Sequence, residues 1–300
     1  MVLLILVNLM WAAQYPAYKV ASRQIGPIAI GAWTFLLGVA AMLPFLIEER
    51  RRNGNKGPGI SRRTLRQFFV LGLLGLIPAC ACVAWGTDHS TASNAALLYL
   101  TIPILTAVLA AILLSERMPR MRWASLAISL VGVAVISMPD WRQQELGRVH
   151  FLAGNIMILL ACISSAFYNV YCKALLELYS DLEVLVYGYV VAVISSIPLL
   201  IWVEPFHWSG VAGYSRETWI SLLVLSIVSW GLAMVLWMFV LRRIDVTQAS
   251  ISVYLLPFFG VLISAVVLHE TVTGAMIAGG VITLVGTVLA TVGESSSPTK

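Results

Sequence analysis

Residues 92–136 read ASNAALLYLTIPILTAVLAAILLSERMPRMRWASLAISLVGVAVI, and residues 246–290 read VTQASISVYLLPFFGVLISAVVLHETVTGAMIAGGVITLVGTVLA. Laid together, Pro103 falls on Pro257, Glu116 on Glu270, Ala124 on Ala278, and Leu130-Val131-Gly132 on Leu284-Val285-Gly286. Each copy holds a proline inside an apolar run, a glutamate 13 residues later, and a second apolar run ending in Leu-Val-Gly. The chain is therefore internally duplicated. What lies between the copies sets how the two halves are threaded.

Only 11% of the 300 residues are charged and 60% are hydrophobic, with a mean hydropathy of +0.90. A soluble domain carries about 25% charged residues. The composition excludes a water-exposed globule and implies a polytopic, all-α membrane protein. A helix needs about 20 residues to cross the hydrocarbon layer. By that ruler ten spans are expected, at 2–22, 28–47, 67–87, 92–114, 122–138, 151–174, 182–203, 218–241, 246–268 and 273–293. Each half holds five, an odd number, so the second half must be threaded upside down. The expected organisation is a first five-helix repeat at 1–138, an extracytoplasmic linker at 139–150, a second repeat at 151–293 and a disordered tail at 294–300.

The net charge of +5 reports topology. Arg50, Arg51, Arg52, Lys56, Arg62, Arg63 and Arg66 crowd the second loop. Arg117, Arg120, Arg122, Arg242 and Arg243 fall on the same face. The opposite face holds fewer: Lys19, Arg23, Arg142, Arg148 and Arg216. Positive-inside bias places the rich face and both termini in the cytoplasm. No basic, base-reading surface remains for nucleic acid. The run from Val2 lacks a basic leader and continues into Gln14, Tyr15, Pro16 and Lys19, so it reads as the first span and not as a cleavable signal. Trp208 and Trp219 are expected to anchor at the headgroup belt.

Enzyme chemistry has no foothold. Cys80 and Cys82 point to opposite faces of a helix, and with Cys162 and Cys172 they read as small buried residues, so no metal site is expected. The four histidines are scattered near span ends. The run Asp88-His89-Ser90 is too local for a triad, which is assembled from separate segments. No glycine-rich phosphate loop is present, and no cofactor is expected.

Pro103 and Pro257 each free a backbone carbonyl four residues earlier, at Tyr99 and Val253. In lipid that is tolerated where neighbours or a wet cavity re-satisfy the carbonyl. Two readings follow: a symmetric pair of kinked helices facing a central cavity, or a packing kink alone. Glu116 and Glu270 lie about 20 Å further along, near the surface, where they cap the next helix or pair across the short loop.

Polar and aromatic side chains at membrane depth mark a pocket, because such groups are costly there. The candidate substrate-binding set is Trp11, Gln14, Tyr18 and Lys19 in span one; Trp85 in span three; Asn94 and Tyr99 in span four; Tyr168 and Asn169 in span six; Trp230 and Trp237 in span eight; and Gln248 and Tyr254 in span nine. In this reading Tyr18 corresponds to Tyr168 and Lys19 to Asn169. Lys19 either binds a substrate carboxylate or snorkels to the surface. No carboxylate occurs mid-span, which disfavours a proton-coupled exporter of organic cations.

The run from Ala92 through Pro103, Glu116 and Gly132, its second copy at Pro257, Glu270 and Gly286, and Trp11 followed by Lys19 resemble the EamA-like branch of the drug/metabolite transporter superfamily. The resemblance covers nearly the whole chain. One departure is Ala161 at the position assigned to Trp11 in the second copy. The resemblance implies ten helices in two inverted halves and a central cavity lined by spans one, three, four, six, eight and nine. It implies a secondary active transporter of the inner membrane, most readily an exporter of amino acids or related metabolites, working by alternating access. Its expected partners are a small-molecule substrate, the lipid bilayer and a candidate coupling ion. The alternatives are a drug or organic-cation exporter and a non-transporting membrane scaffold.

Overall fold

The computed structural model describes residues 2–54, 59, 61–113, 120–136, 145–204, 208–241 and 255–295. The expectations on Glu116, Val253, Gln248, Tyr254, Arg117, Arg242, Arg243, most of the linker and most of the tail fall outside them. Among the described residues there are helices and no strands.

Ten helical passes follow the expected order. They are α1 (Val2–Ala12 continued by Gln14–Ala21), α2 (Pro27–Arg52), α3 (Arg62–Val70, Leu71–Leu76 and Ile77–His89), α4 (Ala92–Leu98, Tyr99–Thr101 and Ile102–Leu113), α5 (Arg120–Ile136), α6 (Glu145–Tyr171), α7 (Asp181–Trp202), α8 (Arg216–Leu223, Val224–Leu232 and Ala233–Leu241), α9 (Leu255–Leu268) and α10 (Gly274–Ser295). Five of them, α2, α3, α6, α7 and α8, are long and apolar enough to cross a bilayer unaided. Among the described residues α1 and α4 are interrupted, α5 and α9 are shorter, and α10 runs unbroken for 22 residues. Helix α6 opens at Glu145, inside the stretch read as linker. Large apolar side chains such as Phe45, Phe258 and Trp202 stay exposed, the last at 81%. On a membrane helix that face meets lipid.

Side-chain caps set several helix starts. Ser61, Thr91, Ser180 and Ser215 each accept a hydrogen bond from the backbone N–H three residues on. Ser180 and Glu183 form a reciprocal capping box, which satisfies two otherwise orphaned donors.

The inversion is visible in which ends meet. At the end of α7, Glu204 accepts hydrogen bonds from the N–H groups of Ile28 and Ala29 at the start of α2, at 2.8 and 2.9 Å. At the end of α2, Arg50 donates to Glu183 at the start of α7, at 2.7 Å. Helices α2 and α7 occupy the same place in the two repeats, and they run antiparallel. The same holds for α4 and α9. Glu270, just past α9, accepts from the N–H groups of Ala92 and Ser93, both at 3.0 Å, and from the Ser93 hydroxyl at 2.7 Å. Glu270 therefore caps a helix of the other half and not the next helix in sequence. A carboxylate at a helix N-terminus meets both unpaired donors and the positive end of the dipole. Gly26 makes room for the Glu204 cap, since a Cβ there would lie 2.2 Å from that carboxyl carbon.

A constant spacing of 154 residues relates Pro103 to Pro257 and Glu116 to Glu270. It also relates two π-helical stretches, Leu71–Leu76 in α3 and Val224–Leu232 in α8. Single π-turns inside α-helices cluster at functional sites, and both of these face the centre of the bundle.

Candidate substrate cavity

Between the two halves lies a cavity of about 90 Å³ lined by Trp11 and Gln14 of α1, Gly75 and Ala79 of α3, Tyr99 and Ile102 of α4, Ser165, Tyr168 and Asn169 of α6, Trp230, Met234 and Trp237 of α8, and Leu256 of α9. These are the six spans that the resemblance implied. The 154-residue spacing pairs Trp11 with Ser165, Gln14 with Tyr168, and Ile102 with Leu256, and both members of every pair line the cavity. The site therefore sits on the pseudo-two-fold relation between the halves. In this register the counterpart of Lys19 is Lys173 and that of Trp11 is Ser165, which replaces the Asn169 and Ala161 matches expected from sequence.

Each wall has a local cause. Pro103 has no N–H to offer the Tyr99 carbonyl. The chain answers with a 3-10 turn over Tyr99–Thr101, in which the Ile102 N–H bonds Tyr99 O. The turn brings Tyr99 and Ile102 to the cavity, while neither Pro103 nor Pro257 lines it. In α3, Gly75 lies in the π-turn, where a Cβ would come 3.3 Å from the Tyr168 Cβ. That close approach lets α6 reach the cavity. Trp11 and Trp237 pack with centroids 5.0 Å apart, and Tyr15 meets Tyr99 edge-on at 5.3 Å.

Chemically the cavity offers aromatic faces, a primary amide at Gln14, another at Asn169, and hydroxyls at Ser165, Tyr99 and Tyr168. The Tyr168 hydroxyl is buried without a hydrogen-bond partner. None of the described lining residues carries a charge. No described cluster of His, Cys, Asp and Glu has the makings of a metal site.

Seven of the sequence candidates meet here: Trp11, Gln14, Tyr99, Tyr168, Asn169, Trp230 and Trp237. Four lie elsewhere. Tyr18 is fully buried behind the wall, bonded to Cys80 and Trp230. Lys19 neither lines the cavity nor snorkels freely. Its ammonium donates to the carbonyls of Thr87, Asp88 and Ser90 at 2.6, 2.8 and 2.9 Å, closing the end of α3. Trp85 stacks on His89 at 3.8 Å beside a separate surface pocket. Asn94 donates to the Ser90 hydroxyl, which in turn donates to Asn155 Oδ1. Trp219 packs edge-on against Trp33. Gln248 and Tyr254 lie outside the described residues. The sequence reading missed Gly75, Ala79, Ile102, Ser165, Met234 and Leu256. Extending the proline spacing into spans one and six would have found Ser165 from Trp11.

The face carrying Lys19, Gln24, Ala92, Glu204 and Glu270 is laced shut between halves. Besides the two carboxylate caps, Gln24 Oε1 accepts from the Ser215 N–H at 2.8 Å and the Thr218 hydroxyl at 2.6 Å.

A ten-pass bundle of two antiparallel five-helix halves around a neutral aromatic cavity has the build of a membrane transporter. The EamA-like transporter family matches residues 1–138 and again 152–292, and the chain belongs to that family. It is 28% identical over 95% of its length to a "Probable terminal-alkyne amino-acid exporter" of Streptantibioticus cattleyicolor, covering 91% of that protein. It is 22% identical to the "Uncharacterized transporter YoaV" of Bacillus subtilis, over 94% of this chain and 93% of the other. A solved structure titled only "Crystal structure of protein" shares the fold at TM-score 0.65 and 19% identity, over 99% of this chain and 98% of its own.

Proposed function

We propose that this protein exports a small amino acid or a close relative across the inner membrane by alternating access. The observation that carries the reading is the uncharged cavity on the relation between two inverted halves, lined by amide and hydroxyl residues set among tryptophans. A zwitterion has no net charge to neutralise, and neutral dipoles serve both its ends without a buried ion. The basic loops put Arg50 on the cytoplasmic side. The laced face is then extracytoplasmic, and this conformer is closed outward. Opening requires Glu204, Glu270 and Gln24 to release their cross-half bonds while the cytoplasmic side closes. Direction comes from a coupled gradient or from binding energy that differs between the two states. The similarity to a probable terminal-alkyne amino-acid exporter supports the choice of amino acids.

The test is growth. Overexpression is expected to protect cells from L-propargylglycine, an amino acid with a terminal alkyne, and from other toxic amino-acid analogues, but not from quaternary ammonium dyes. Protection against dyes alone would favour organic-cation export. Gln14→Ala and Tyr99→Phe are each expected to lower export about fivefold, the value of one hydrogen bond of roughly 1 kcal/mol. Membrane levels of folded protein should stay unchanged. Flux at the wild-type rate in both variants would move the binding site elsewhere.

A further inference from the structure

We infer that a hydrogen-bonded relay behind the cavity, Cys80–Tyr18–Trp230–Tyr189, positions the Trp230 indole for the transported solute, an inference that rests on the transport reading above. Trp230 lines the cavity and bonds hydroxyls of two other helices through two of its own groups. Its Nε1–H donates to the Tyr18 hydroxyl at 2.8 Å. Tyr18 donates onward to Cys80 Sγ at 3.2 Å. On the other side, the Tyr189 hydroxyl donates to the Trp230 carbonyl.

The relay joins α1 and α3 of the first half to α7 and α8 of the second. Its members Tyr18, Cys80 and Tyr189 are completely buried and contribute nothing to the cavity wall. Phe35 of α2 completes the setting, packing edge-on against Trp230 at 5.3 Å and tilted against Tyr189 at 4.9 Å. The indole is thus held at its nitrogen, at its backbone and on its ring, leaving the remainder of the ring to the cavity.

The backbone explains why such a hold is needed. Trp230 sits within the π-helical stretch Val224–Leu232. A π-turn widens the helix and leaves a carbonyl without its ordinary i+4 donor. At the C-terminal end of this stretch, the Tyr189 hydroxyl bonds Trp230 O and ties the widened segment to α7. Gly231, next in sequence, allows the widened turn to close on itself, since a Cβ there would lie 2.7 Å from Ser226 O. Tyr18 and Tyr189 are therefore positioning residues, acting on the solute through Trp230. A buried hydroxyl replaced by hydrogen leaves shape and packing nearly intact, so phenylalanine variants isolate the bonds.

The experiment uses the full-length protein in liposomes with radiolabelled L-propargylglycine and L-phenylalanine as probes. Tyr18→Phe and Tyr189→Phe are each expected to raise KM about fivefold, the factor one neutral hydrogen bond carries, with the maximal rate per folded molecule preserved. Cys80→Ser, which keeps an acceptor for Tyr18, should raise KM less than Cys80→Ala. A second readout needs no substrate. The emission of Trp230, taken as the difference between each protein and its Trp230→Phe counterpart, should shift to the blue in Tyr18→Phe because the indole N–H loses its acceptor. Wild-type KM in both tyrosine variants, or a fall in maximal rate with KM unmoved, would reduce the relay to packing and overturn the inference. An unshifted Trp230 emission would do the same. If the wild-type protein moves neither probe, amino-acid export fails as a reading, and the emission difference still decides whether Tyr18 holds the indole.

Discussion

Gly86→Val is expected to remove most folded protein from the membrane. Gly86 of α3 and Gly154 of α6 meet backbone to backbone where the two halves cross. A Cβ on Gly86 would lie 2.7 Å from Gly154 O and 2.6 Å from Ile158 Cγ1, and one on Gly154 would lie 2.9 Å from Gly86 O. Small residues at such crossings let helices approach closely in lipid, where no hydrophobic force drives them together. The obstructing atoms include a carbonyl and not just a flexible side chain, so the helices must separate. Separation also breaks the adjacent Ser90–Asn155 hydrogen bond of 2.6 Å. Overpacking a tight core costs about 1–3 kcal/mol, and more where backbone resists, so the loss here should exceed about 3 kcal/mol. Size-exclusion profiles and melting curves of fluorescently tagged protein in detergent would check it. A monodisperse Gly86→Val protein melting with the wild type would mean that α3 and α6 do not cross at these glycines.

The duplicated proline and glutamate were readable because duplication leaves the same residues at the same spacing, whatever the structure does locally. The ten passes were readable because lipid demands long apolar helices. Which residue starts each helix was less readable, since helix ends depend on caps supplied from elsewhere. Glu270 shows why. Its spacing from Pro257 placed it near the surface, but the helix it caps, at Ala92, lies in the other half, and nothing local to residue 270 names that partner. In α1, Trp11, Gln14, Tyr15 and Tyr18 share one helical stripe by periodicity. The structure divides the stripe, giving the first two to the cavity and the last two to the wall behind it. That division depends on how α3 and α8 pack, and their π-turns have no sequence signature beyond a scatter of small residues.

Lys19→Met is expected to destabilise the protein without changing its affinity for solute. The sequence offered two fates for this lysine, a substrate carboxylate or the water above it, and the structure gives a third. Three carbonyls at the end of α3 have lost their helical partners, as the last carbonyls of any helix do. The Lys19 ammonium has three donors and spends one on each. A cation at a helix C-terminus also meets the negative end of the dipole. Methionine keeps much of the length and apolar stem but offers no donor. A buried hydrogen bond to a charged group contributes about 1.5–3 kcal/mol net of its exchange with water. Water can reach this end of the helix, so a net loss of about 2–3 kcal/mol is expected. The effect should extend to the other half, because the Ser90 whose carbonyl Lys19 holds also donates its hydroxyl to Asn155. Export should then fall in proportion to folded protein, with KM unmoved. A Lys19→Met protein that melts like the wild type yet shows a raised KM would return the ammonium to the substrate and place the cavity wall nearer to α3's end than these contacts allow.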